Sequence, residues 1–167
     1  MTLVHAWQTQ SFVAAHAENT PIFRNRTQKE IQDVGHLLEI TRFITGGEYG
    51  ISEESIIHRM PGPIYVMDHR HPLQSMTSAY RVQQLFVSRA ELNIPEDWRI
   101  CERVIAADTP IARLLHESMT EFYTALVQNH GFIPPEIVER FQALLKINLG
   151  VHPQRSDVRA QLRQVLF

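Results

Sequence analysis

The stretch from His58 to Pro72, HRMPGPIYVMDHRHP, sets His58, His69, His71 and Asp68 among proline-bearing turn signals. An H-x-H pair on a continuous strand projects both rings to one face, an arrangement that suits a transition-metal ion. Here Pro72 ends the strand at once, and Arg70 sits between the rings as a charge that a cation would avoid. The three histidines therefore read as exposed turn residues. Asp68 reads as an acceptor for backbone N–H groups in its turn.

The metal-binding cupins offer a stricter test, because they take two histidines and a following glutamate from one hairpin. In this sequence Ser75 and Met76 stand where that glutamate is required, and no glycine occupies the expected place before His69. No metal is expected. Nucleophilic chemistry has no better footing. Cys101, the only cysteine, lies in WRICERV and reads as a buried filler. No Gly-rich phosphate loop is present, and Gly46-Gly47 reads as a tight hairpin, not a strand-to-helix turn. Glu53-Glu54 reads as a solvated loop pair. The expectation is a protein with no catalytic residues and no cofactor, not an enzyme.

Elements that could hold a ligand are clearer. HLLEITRFITGG (residues 36–47) alternates, with Leu38, Ile40, Arg42 and Ile44 on one face and Leu37, Glu39, Thr41 and Phe43 on the other. EYGISEESIIHRM follows as the return, MPGP as a turn, and PIYVMD and AYRVQQLFV as further strands. Such a succession predicts a small antiparallel barrel or sandwich. If the Leu38–Ile40 face points inward, Arg42 enters the interior and needs an anion, either an internal carboxylate or a ligand. The alternative is that Arg42 pairs with Glu39 or Glu48 at the surface. His58, Arg59 and Tyr65 belong to the facing segment, and Phe23 and Arg24 could close a mouth.

From Thr109 the period changes to that of helices. TPIARLLHESMTEFYTALVQNHG has Thr109 as N-cap, Pro110 at the first position and Gly131 at the end. PPEIVERFQALLKINLG repeats the pattern up to Gly150, so two helices form an antiparallel hairpin. Ser156 opens a third pattern, DVRAQLRQVLF, which stops with apolar residues. It reads as the start of something longer or as a helix that docks on a partner.

The chain has 167 residues, 44% apolar and 20% charged, with a net charge of -2. This composition suits one globular domain with a real core. It excludes a global electrostatic drive onto nucleic acid or anionic membrane. No run approaches the roughly 18–20 apolar residues of a membrane span. The expectation is a soluble, cytoplasmic protein.

Taken in order, GGEYGISEESIIHRMPGPIYVMDHRHPLQSMTSAYRVQQLFVSRAEL resembles the effector-binding N-terminal domain of AraC-type transcription regulators. The resemblance rests on Met60-Pro61-Gly62, Ile64 to Asp68, Pro72, and the phrase from Leu85 to Leu92. Pro63 departs from the pattern, where the family often has aspartate. The resemblance implies an α+β fold: an N-terminal antiparallel cupin-like β-barrel, then an antiparallel helix pair and a truncated third helix.

It implies a sensing region over 1–107 and a helical dimerisation region over 108–167, excised from a helix-turn-helix half that would read DNA. A small-molecule effector would enter the barrel beside Phe23, Arg24, Arg42, His58, Arg59 and Tyr65. Two copies would pair through Ile111, Leu115, Phe122 and Leu126, with no direct contact to nucleic acid and none to membrane. The alternatives are a metal-dependent cupin enzyme and a ligand-free interaction barrel.

Overall fold

A computed structural model describes residues 3–9, 11–53, 55–98 and 101–151. The chain divides into two compact units, Met1–Ile105 and Ala106–Phe167. The first holds β1 (Leu3–Gln8), β2 (Val13–Asn19), β3 (Phe23–Arg26), α1 (Gln28–Val34), β4 (Leu37–Thr45), β5 (Glu48–Ser52), β6 (Ser55–Arg59), β7 (Ile64–Asp68), β8 (Leu73–Thr77), β9 (Tyr80–Ser88) and β10 (Glu102–Ile105). The second holds α2 (Pro110–Gln128) and α3 (Pro135–Leu149). The third helical pattern, from Ser156, lies outside the described residues.

The strands form a six-stranded sheet in the order β1-β2-β9-β4-β7-β10 and a four-stranded sheet in the order β3-β8-β5-β6. All pairings are antiparallel. The two sheets face one another, and the helix pair follows, so the fold is α+β as expected. β4, β7 and β9 fall where the alternation places strands. Their long β-branched and aromatic runs suit a pleated surface packed on its neighbours.

Gly46-Gly47 is not the hairpin that composition suggests. β4 pairs with β7 and β9, whereas β5 pairs with β6 and β8, so the glycines carry the chain from one sheet to the other. Gly46 has φ +72°, and a Cβ there would lie 2.1 Å from the Ala79 carbonyl oxygen. Only glycine fits that crossing. MPGP makes a second crossing, from β6 to β7, with Gly62 at φ +122°.

α1 was not anticipated. It opens on a capping box in which Thr27 accepts from the Lys29 N–H and Glu30 accepts from the Thr27 backbone. In the second unit Thr109 caps α2 through the Ala112 N–H, and Gly150 ends α3 in the left-handed region. Phe122 of α2 packs on Phe141 of α3 with ring centroids 5.5 Å apart, and Arg140 pairs with Glu121 beside them.

Candidate functional site

β4 decides which side chains lie between the sheets. Glu39 and Thr41 share one face, joined by a 2.8 Å bond from the Thr41 hydroxyl. Glu39 meets Arg24 of the opposite sheet at 3.3 Å. The interior face of β4 is therefore Glu39, Thr41 and Phe43. Leu38, Ile40 and Arg42 occupy the other face, opposite to the expected orientation. Leu38 and Ile40 are fully buried there as well, which is why hydrophobicity alone misassigned the faces.

Between the sheets lies a connected set of charges. Glu48 of β5 accepts from Arg24 at 3.1 Å, from Arg59 at 2.9 Å and from the Ser75 hydroxyl at 2.5 Å. Arg59 of β6 crosses to Glu102 of β10 at 3.0 Å. Glu39 also engages the His69 imidazole at 2.9 Å and the Gln84 amide at 2.9 Å. Glu39, Glu48 and Arg59 are almost wholly buried, while 27% of the Arg24 side chain remains exposed. Arg24 is thus the most exposed of the ion-paired members, ahead of Glu102.

Electrostatics follow from this packing. Burial works to raise the Glu39 pKa, but the Arg24 guanidinium and the His69 hydrogen bond outweigh it. The carboxyl is held well below the usual range. Glu39 in turn raises the pKa of Arg24 against the opposing effect of burial. Arg26, buried at the end of β3, is lowered chiefly by desolvation. It donates to the His71 carbonyl at 2.9 Å and to the Met67 sulfur at 3.1 Å. The His69 Nδ1 is buried with no partner among the described residues.

An aromatic end completes the interior. Phe43, Tyr65 and Tyr80 pack edge to face with Ala17 and Val82. The Tyr65 hydroxyl accepts from the Met60 N–H at 2.9 Å, and the Arg59 guanidinium lies 5.8 Å from the Tyr65 ring centre. The packed interior between the sheets therefore combines charge-assisted hydrogen bonds with an aromatic wall. A molecule entering there must exchange its own polar groups for existing ion pairs.

Of the residues expected inside, Arg24, Arg59 and Tyr65 do face the interior. Phe23 and His58 do not: strand alternation turns both to the outer face of the four-stranded sheet, where they are exposed. Arg42 lies on the outer face of β4 and bonds Gln83 of β9 at 2.6 Å. His69, expected on an exposed turn, is buried against Glu39, and His71 turns instead to Glu53 at 2.8 Å. Among the described residues, no group of three or more His, Cys, Asp or Glu is placed to hold a metal ion.

Asp68 accepts from the Arg70 N–H at 3.0 Å, the turn role expected of it, and also pairs with Arg89 at 2.6 Å. Cys101 is only half-buried, with its sulfur 3.3 Å from the Ser52 hydroxyl. The sequence reading missed Glu39, Glu48, Glu102 and His69 as interior groups. The signal for Glu39 was present, since a carboxylate between Leu38 and Ile40 in a strand with no polar face must have a partner.

The helical residues expected at an interface are placed differently. Leu115, Phe122 and Leu126 are fully buried within the chain, and Ile111 is half-buried. Side chains already covered cannot offer a surface to a second copy. Of that apolar stripe, Leu115, Phe122 and Leu126 are packed internally, while Ile111 keeps part of its surface.

These features define a cupin-like sandwich of antiparallel sheets followed by helices. The chain matches the N-terminal region of the crystal structure of the AraC-like transcriptional activator CuxR, with a TM-score of 0.70 and 13% identity. The match covers 92% of this chain and 57% of that one, so the chain spans little more than half of that protein. At this identity the likeness establishes the fold. The Schizosaccharomyces pombe Cnp3 cupin domain matches with a TM-score of 0.41 and 10% identity, over 57% of this chain and 74% of that one. No protein-family model and no curated protein matches the chain. No described helix is long and apolar enough to cross a membrane.

Proposed function

We propose that this chain is the effector-sensing and self-associating part of an AraC-type transcription regulator, and not an enzyme. The observation that carries the reading is the shared fold with an AraC-like activator over 92% of the chain. The site between the sheets supports it, because a partly exposed Arg24 leads to buried, exchangeable ion pairs. The effector is a polar small molecule that bears an anionic group for Arg24 or Arg59 and an apolar part for Phe43 and Tyr65. DNA is read by a separate domain, in the cytoplasm, and this chain touches neither DNA nor membrane.

Thermal unfolding with carboxylate- and phosphate-bearing metabolites tests the reading. A ligand at 100 times its Kd adds about 2.7 kcal/mol. For a chain of this size that raises the midpoint by several degrees, roughly 2–4 per kcal/mol. Arg24→Ala abolishes that rise. Absence of any shift across anionic compounds rejects the sensing role. It favours a second reading, a ligand-free interaction barrel, for which the mutually satisfied Glu39–Arg24–Glu48–Arg59 network speaks.

A further inference from the structure

The outer face of the four-stranded sheet carries a large apolar surface that no role above uses. Register places Phe23, Met76, Tyr49 and His58 in one row across all four strands. Gln74, Ile51 and Ile56 form the next row, with Asn25 at its edge. Phe23 is 64% exposed, Met76 63%, Tyr49 62%, Ile51 52% and Ile56 72%. The buried partners of these positions, such as Glu48, Ile57 and Arg59, point the other way. This sheet is therefore apolar on its outer face, while its inner face sets the ion network beside Ile57 and Leu73, unlike an ordinary solvated sheet.

We propose that this face is where a second copy of the chain docks, sheet against sheet about a two-fold axis. Three observations favour a like partner. No Asp, Glu, Lys or Arg occupies either row, so the face meets itself without like-charge repulsion, and charge depletion marks the core of homodimer interfaces. Its exposed side chains sum to about 600 Å2, with aromatic rings counted at roughly 150–250 Å2 when whole. That is at the upper limit of patches on monomers, about 300–600 Å2. The roughly 800 Å2 per partner of a stable interface would therefore include its rim, where Glu53 stands beyond Ile51.

The third observation is position. Tyr49 and Met76 lie on β5 and β8, the central strands of this sheet, so a two-fold axis there buries them most deeply. A groove of about 320 Å3 beside them, lined by Tyr49, His58, Met60 and Met76 and reaching Glu48 and Arg59, is large enough to receive a side chain of the partner. The inference stands on this surface and does not depend on the sensing role. A dimer that ignores every small molecule would sustain the one and sink the other.

Sedimentation of the full chain across micromolar concentrations tests it. The wild type is expected to dimerise. Tyr49→Lys and Ile56→Asp, exposed in the monomer, are expected to keep the wild-type circular dichroism and raise the dissociation constant at least about 30-fold. Met76→Gln, a milder change, raises it less. Val127→Asp, at an exposed apolar position of α2 outside the face, leaves it unchanged. A wild type that stays monomeric assigns the face to some other partner and overturns the proposal. So does a dimer that survives both sheet variants, or one lost only with Val127→Asp.

Discussion

At the scale of the residue, the interior is governed by neutralisation. Glu48 touches Arg24, Arg59 and Ser75 at once. Glu48→Gln keeps the shape but leaves a buried Arg59 short of its counter-charge, so it is expected to cost about 3–5 kcal/mol in urea unfolding. Adding Arg59→Met to it recovers a large part of that loss, because no unpaired cation then remains. Glu39 makes the pH dependence. Its folded pKa lies below the unfolded value of about 4.3, so its contribution is fully present above that value. The contribution is lost as pH falls through the folded pKa. Stability should therefore be flat in this respect near neutrality and fall below about pH 4–5, and Glu39→Gln should show a shallower acid slope. That Glu39 needs a partner was legible in the sequence, but which partners pair was not. Glu39 and Glu48 read as surface partners for Arg42, because alternation gives the period of a strand and not the identity of its inner face. With Leu38 and Ile40 as buried as Glu39 and Thr41, no exposed face remained to break the tie.

At the scale of the element, periodic runs were readable and crossings were not. β4, β7, β9, α2 and α3 stand where alternation, N-caps and terminal glycines place them. α1 was missed because seven residues carry little period, although Thr27 and Glu30 supply a capping box. Gly46-Gly47 has the composition of a hairpin, yet it joins different sheets, and composition is blind to that difference. Two alanine substitutions separate the requirements. Gly46→Ala combines positive φ with a clash on the Ala79 carbonyl and should cost at least about 2 kcal/mol. Gly62→Ala meets nothing within 4 Å, so conformational strain alone should limit the cost to about 1 kcal/mol. Phe122→Ala should cost about 3–5 kcal/mol in unfolding. Because Phe122 is covered by Phe141 and its own chain, the loss should appear as instability, with the dissociation constant of folded protein unchanged. A folded monomer from Phe122→Ala would return the interface to the helices.

At the scale of the whole molecule, the ion network and the apolar face are opposite surfaces of one four-stranded sheet. Glu48 and Tyr49 are neighbours on β5, and His58 and Arg59 are neighbours on β6. Each pair sends one side chain inward to the ion network and the other outward to the face. A change in how Arg24, Glu48 and Arg59 pair therefore acts on the strands that carry Tyr49 and His58. Binding inside and association outside would be linked, and the linkage must be reciprocal in free energy. It can be read without knowing the effector. The combined Glu48→Gln and Arg59→Met variant, with the charges removed together, should shift the dimer dissociation constant by about fivefold or more, equivalent to roughly 1 kcal/mol of coupling. Val13→Thr changes an exposed residue on β2 of the other sheet, on a strand that carries no member of the network. It should leave the dissociation constant within error of wild type. Equal shifts in both variants would indicate general loosening of the fold. No shift in either would leave the network without a route to the face, and an effector bound there would have no means of altering how two copies meet.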